Sequence, residues 1–296
     1  MNNKGLNWII FILLSIIWGS SFLLMKIGMK EGPTQLSPYQ VASLRMISSG
    51  IVLIPFAFRA FREVPARKRG IVILSGILGN FLPAYLFCIA ETKIDSALAG
   101  ILNSLTPLFT ILVGFAFFQL SFDGKKIAGI LLGLVGLVLS VVAGKTLQFE
   151  NFFYTLFVIL ATVFYGFNVN MVGRHMHHIS AINIASMAFV FSIVPSFIIL
   201  ASTGYFSLDF SSPHFLQATA ASSVLGIINT SLASILFYIL VKRAGIVFSS
   251  TVTYAIPFVS LAMGLLNNEA IHPLRIVGLG IILLGVYLVS KRTSSR

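Results

Sequence analysis

Apolar runs long enough to cross a bilayer occupy nearly the whole chain, and this limits the fold more than any other feature. A helix needs about 20 mostly apolar residues to span the hydrocarbon core. Ten such runs follow one another at 7–29, 38–58, 70–90, 96–118, 126–143, 152–172, 180–201, 215–240, 246–267 and 273–290. Of the 296 residues, 57% are hydrophobic and 9% charged, against about 25% charged in an ordinary soluble domain. Loops are short, and no stretch is left for a separate aqueous core. The expected fold is an all-α membrane protein with ten transmembrane helices. The first run continues from Lys4 to Met25 without the short apolar core and small-residue cleavage site of a signal peptide, so it reads as a retained helix.

The net charge of +12 is unevenly placed along these runs. With the amino terminus in the cytoplasm, fourteen basic residues fall inside against Glu63 and Asp123, among them Arg67, Lys68, Arg69, Lys242 and Arg243. Six fall outside against six acids. This is the asymmetry of the positive-inside rule, and it puts both termini in the cytoplasm. The basic residues serve to orient the chain and to meet anionic headgroups of the lipid bilayer, so no nucleic acid is expected as a partner.

An internal repeat divides the chain. Shifted by 150 positions, Gly76, Ile77, Leu82, Leu86, Phe87, Ile89, Pro107 and Gly114 fall on Gly226, Ile227, Leu232, Leu236, Phe237, Ile239, Pro257 and Gly264. Prolines and glycines carry most weight, because their backbone roles are special. The expected units are 1–146 and 147–296, each with five spans. Five is odd, so the second unit must enter the membrane from the opposite side. Two inverted five-helix repeats are a plan of secondary transporters, with substrate held near the midplane between them.

The polar residues inside the runs mark a cavity. In NSLTPLF, Asn103 to Phe109, Pro107 removes a backbone hydrogen bond and frees the carbonyl near Asn103. Uncovered backbone at membrane depth belongs beside protein or water. TYAIPF, Thr253 to Phe258, repeats the break at Pro257 and offers Tyr254. Trp18, Ser21, Phe22 and Met25 share one helical face, and Tyr165 and Asn168 form the matching face of the sixth run. Tyr85, Asn229 and Tyr238, with Asn80 and Thr230, add hydrogen-bonding groups to the third and eighth runs. Arg45 is a charge within the apolar second run. Such a charge is costly unless paired or solvated; it either holds an anionic group of a substrate, snorkels to headgroups, or pairs with Glu91 or Asp95.

The candidate substrate-binding set is therefore Trp18, Ser21, Arg45, Tyr85, Asn103, Tyr165, Asn168, Asn229, Tyr238 and Tyr254. No acid lies at the centre of any run, which favours facilitated export or exchange over coupling through a midplane carboxylate. Gly129, Gly133 and Gly136 with Gly278, Gly280 and Gly285 give the fifth and tenth runs small-residue faces for close packing, within one chain or in a dimer contact. His175, His177 and His178 read as an exposed helix end, because catalytic zinc takes three ligands in a defined cage. Cys88 is the single cysteine. No metal and no cofactor are expected.

WGSSFLLMKIG at Trp18 to Gly28, the run carrying Arg45, and DSALAGILNSLTPLFTILVGFAFF at Asp95 to Phe118 resemble the EamA-type members of the drug/metabolite transporter superfamily. The resemblance covers nearly the whole chain. It implies a carrier of the bacterial inner (plasma) membrane in which helices 1 to 4 and 6 to 9 enclose a central cavity and helices 5 and 10 brace it. It also implies a glutamate ending the fourth and ninth helices; here Glu269 is present and Gln119 stands in the other place. The function expected is export or exchange of small metabolites, amino acids fitting best, by alternating access in a monomer or weak homodimer. The alternative is a multispan membrane enzyme acting on lipid or peptide. That would need a nucleophile and base or a metal set at depth, and neither HExxH nor GxSxG occurs.

Overall fold

The computed structural model describes residues 4–29, 35–119, 124–142, 149–267 and 271–290, with side chains for all of these except 124–127, 149–151 and 289–290. Helices and turns make up the described residues, with no strand among them. Glu269 lies outside the described residues.

Helices α1 (Lys4–Gly28) and α2 (Pro38–Glu63) each run unbroken. A reciprocal cap starts α2: the Ser37 hydroxyl accepts from the Gln40 amide at 3.2 Å, and Gln40 Oε1 accepts from the Ser37 amide at 2.8 Å. Pro38 follows in the first turn, where its missing N–H has no intrahelical partner to lose. The third run is α3 (Ala66–Gly76), a π-helical turn at Ile77–Phe81, and α4 (Leu82–Ala90). The fourth is α5 (Ser96–Asn103) and α6 (Thr106–Phe118), with α7 (Gly124–Val142) after it.

Beyond these come α8 (Phe149–His175), α9 (Ala181–Ser202) and α10 (Pro213–Gly226). A second π-helical turn, Ile227–Leu232, leads into α11 (Ala233–Ala244). Gly245, at φ 87°, supplies a left-handed bend before α12 (Ile246–Ser250) that a side chain would strain. A 3-10 turn at Thr251–Tyr254 joins α12 to α13 (Ile256–Leu266), and α14 (Pro273–Ser290) ends the described chain.

Among the described residues, eight helical spans are long and apolar enough to cross a membrane. The difference from ten falls on α7 and α14, whose described apolar stretches, Ala128–Val142 and Pro273–Leu288, are shorter. Those two helices pack on each other through glycine. A Cβ on Gly136 would sit 2.6 Å from the Gly278 carbonyl, and one on Gly285 would sit 2.5 Å from the Gly129 carbonyl. Gly280, by contrast, has no neighbour within 4 Å. The other principal pairs are α2 on α9, α6 and α4 on α8, and α13 and α10 on α1.

The interruption of the fourth run falls on Ser104 and Leu105, and Pro107 stands in the first turn of α6. The carbonyl that a residue-107 amide would have met is that of Asn103. It accepts the Thr106 hydroxyl at 2.8 Å instead, so the proline leaves no orphan there. The two π-helical turns start 150 positions apart, at Ile77 and Ile227. Each follows a glycine pressed on a neighbouring helix. A Cβ on Gly76 would strike Ala188 of α9, and one on Gly226 would strike the Arg45 carbonyl and Ser48 of α2. Side chains reach the carbonyls just before both turns: Asn168 Nδ2 donates to Ser75 at 2.7 Å, and the Thr230 hydroxyl to Leu225 at 2.9 Å. Widened turns of this kind displace the register of a helix and often mark functional sites.

Candidate functional site

The helix interruptions converge on one cavity. Its walls come from α1, α2, α4, α8 and α11, from both π-helical turns, and from the two broken segments at Asn103–Thr106 and Ser250–Thr253. Among the described residues, none of α7 or α14 lines it. The space open to water is about 70 Å³, room for a handful of molecules at about 10–15 Å³ each. A medium-sized solute enters only if the walls move, so this conformation is nearly closed around its centre.

Eight of the ten residues expected from the sequence line the cavity: Trp18, Ser21, Arg45, Asn103, Tyr165, Asn168, Asn229 and Tyr238. Trp18 Nε1 donates to the Asn229 carbonyl at 3.0 Å. The Asn229 side-chain amide returns a hydrogen bond to the Ile17 carbonyl, which fixes α1 against the second π-helical turn. Across the cavity the Tyr238 hydroxyl takes hydrogen bonds from Asn80 Nδ2 at 3.1 Å and Asn168 Nδ2 at 3.5 Å, and Ser234 donates to Asn80 Oδ1 at 3.1 Å. Asn168 has room only because residue 79 is glycine; a Cβ there would collide with its side-chain amide.

Arg45 is 8% exposed. Its Nε donates to the Thr230 hydroxyl at 2.7 Å, and Nη1 lies 3.9 Å from Met25 Sδ. Neither Glu91 nor Asp95 pairs with it: Asp95 Oδ2 accepts Arg275 Nη1 at 2.6 Å, and among the described residues no carboxylate reaches Arg45 within ion-pair distance. Aromatic rings complete the walls. Trp18 meets Phe237 at 5.1 Å between ring centres, and Phe87 stacks on Tyr165 at 6.1 Å.

Two expected residues stand elsewhere. Tyr85 is buried between α2 and α9, its hydroxyl bonded to Ser43 at 2.9 Å and Ser196 at 3.3 Å. Tyr254 packs against the cluster of Ile101, Leu105 and Leu279. The broken segment faces the cavity through Thr253 and Ser250 instead. The repeat already pointed there, because Asn103 shifted by 150 falls on Thr253, not on Tyr254. Phe87 and Phe237, another pair at that shift, both line the cavity and were readable in the same way. Ser234 and Thr106 carry no comparable signal.

At the C-terminal end of α1, Lys26 Nζ donates to the Glu91 and Ile94 carbonyls at 2.6 and 2.9 Å. This ties α1 to the turn between α4 and α5. Beyond Lys26 a second, wider cavity opens between Met29, Leu36, Thr92 and Gln217. His175 stands at the other face of the molecule, its ring 5.8 Å from that of Phe118.

Known proteins resemble this chain over its length. A protein of Archaeoglobus fulgidus described as an uncharacterized transporter is 24% identical over 290 residues, 96% of this chain and 99% of its own. A probable terminal-alkyne amino-acid exporter of Streptantibioticus cattleyicolor is 22% identical, with 96% and 93% covered. A solved crystal structure superposes with a TM-score of 0.65 at 19% identity, covering 96% of this chain and 98% of its own, which is a likeness of fold alone. Residues 6–142 and 152–291 each match the EamA-like transporter family. Two matches of nearly equal length, which together cover most of the chain and whose helices line one polar cavity, make it a multi-pass membrane protein of the EamA-like transporter family.

Proposed function

We propose that the chain is a secondary transporter that exports or exchanges small metabolites, amino acids among them, by alternating access around the central cavity. The observation that carries this is the cavity itself: a nearly closed, aromatic and amide-lined space built from equivalent segments of both parts of the chain. Aromatic walls with a few fixed polar groups select medium-sized amphipathic solutes. The name of the Streptantibioticus relative points to an amino-acid substrate for that protein.

The architecture we assign is ten crossings in two inverted five-helix units, 1–146 and 147–296. The two π-helical turns 150 positions apart support it, as do the exchanged packing pairs, α1 with α13 and α10 answering α8 with α6 and α4. Trp18, Ser21, Arg45, Asn103, Tyr165, Asn168, Asn229 and Tyr238 are assigned to the substrate, with Thr253 in the place first given to Tyr254. Both termini are assigned to the cytoplasm of a bacterial inner membrane from the charge asymmetry. Pairing of the α7 and α14 glycines within the chain supports a monomer.

Reconstituted into proteoliposomes, the protein should bring a labelled amino acid to equilibrium with a saturable rate and return it chemically unchanged. Recovery of a hydrolysed or transferred product would replace the carrier with a membrane enzyme.

A further inference from the structure

Arg45 is the one charged side chain among the described residues that line the central cavity, and it is more than nine-tenths buried. Its hydrogen bonds use one edge of the guanidinium, Nε to Thr230, with a weak contact from Nη1 to the Met25 sulfur. Nη2 meets no acceptor among the described residues. A guanidinium at membrane depth without an acid beside it is costly unless water or a counter-ion serves it, and the cavity it faces has room for either. The Nη1–Nη2 end, engaged only by that long sulfur contact, is the end whose fork matches a carboxylate.

The surrounding polar groups have the same bias. The Tyr165 hydroxyl and the Asn103 side-chain nitrogen line the cavity without a hydrogen-bond partner among the described residues. Asn168 and Asn229 spend their nitrogens on backbone carbonyls and keep side-chain oxygens, which are neutral acceptors. Among the described residues, no aspartate or glutamate lines the cavity to balance a cationic solute.

Resting on the carrier reading above, we propose that the site requires an acid group on its substrate: a carboxylate, or an anion of that shape, held by Arg45 with Tyr165 and Asn103, its apolar body lying against Trp18, Phe87 and Phe237. An amine on the same molecule is tolerated by the amide oxygens and is not required. Monoanionic acids without an amine are therefore substrates, and amines without an acid are not.

The test uses three probes with one body, 3-phenylpropionate, 3-phenylpropanamide and 3-phenylpropylamine, and reads thermal stabilisation of the purified full-length protein in detergent. The acid should stabilise the wild type saturably, the amide at no less than tenfold higher concentration, and the amine not at all. Arg45→Gln should erase the preference of acid over amide, and Arg45→Lys should keep part of it. Tyr165→Phe, which removes a hydroxyl with no protein partner, should narrow the preference without lowering the melting temperature, so the inference stays testable if Arg45→Gln fails to fold. Equal stabilisation by amide or amine, an unchanged preference in Arg45→Gln, or no stabilisation by the acid would overturn it. Exchange of neutral or cationic solutes in liposomes would then leave the carrier standing with a different substrate class, whereas absence of all exchange would remove the carrier reading itself.

Discussion

Trp18 and Asn229 hold each other across the cavity: the indole N–H donates to the Asn229 carbonyl at 3.0 Å, and the Asn229 amide donates to the carbonyl of Ile17, the neighbour of Trp18. One residue belongs to an unbroken helix and the other to a π-helical turn, so the wide turn is fastened by the helix it faces. Interhelical hydrogen bonds in membranes are worth about 1 kcal/mol or less each. Trp18→Phe and Asn229→Ala should each lower stability by about that much. In a double-mutant cycle the two losses should add, because each side chain bonds a backbone carbonyl that the other substitution leaves in place. A double variant that loses clearly less than the sum in thermal unfolding would contradict two independent contacts.

Gly79→Ala should damage the site more than the fold. Its Cβ collides with the Asn168 amide, which must turn away from Ser75 and Tyr238. Overpacking of this kind costs about 1–3 kcal/mol, and the exchange rate should fall at least tenfold. Gly280→Ala, with nothing within 4 Å, is the matched control and should stay within about 0.5 kcal/mol of the wild type.

Gly136→Leu should loosen α7 from α14, because its side chain would occupy the place of the Gly278 carbonyl and Ile282. A loss of about 1–3 kcal/mol is expected, with the apparent substrate affinity unchanged, since neither helix lines the cavity. A change in affinity would contradict the bracing role.

Asp95 has two duties that separate by mutation. Its Oδ1 accepts the Leu98 amide at 2.8 Å and caps α5, while Oδ2 takes Arg275 of α14 at 2.6 Å. Asp95→Asn keeps a capping oxygen and removes the ion pair, leaving Arg275 nearly buried. The expected loss is about 1–3 kcal/mol, below the 3–5 kcal/mol of a fully buried pair, because the Asp95 side chain is 30% exposed. Asp95→Ala should cost about 1 kcal/mol more for the cap.

Sidedness is tested by cysteine labelling. In a Cys88→Ala background, Arg67→Cys should react with an impermeant maleimide only from the cytoplasmic side and Asp209→Cys only from the other. The reverse pattern would invert the assigned topology.

The all-helical membrane fold and the site's neighbourhood were readable because they rest on run length and on residues with few alternatives. Pro107, Pro257, Gly76 and Gly226 have backbone roles that composition alone does not imitate, so the repeat they define locates both broken segments and both π-helical turns. What could not be read is which side of a helix meets water. Tyr85 and Tyr238 sit five and eight residues past Asn80 and Thr230 of the two π-helical turns, yet the widened turns rotate each helix, so one tyrosine enters the cavity and the other is buried against Ser43 and Ser196. Periodicity counted at 3.6 residues per turn carries no record of that rotation. Tyr254 misled for a related reason: a 3-10 turn replaces the α-helix there and turns Thr253 inward.

Counterflow of labelled amino acids into proteoliposomes, comparing wild type with Trp18→Ala and Asn103→Ala, tests the carrier most directly. Saturable exchange in the wild type, reduced at least tenfold in both variants while each remains folded, is the expected result. Equal exchange in all three would contradict a transport site at this cavity.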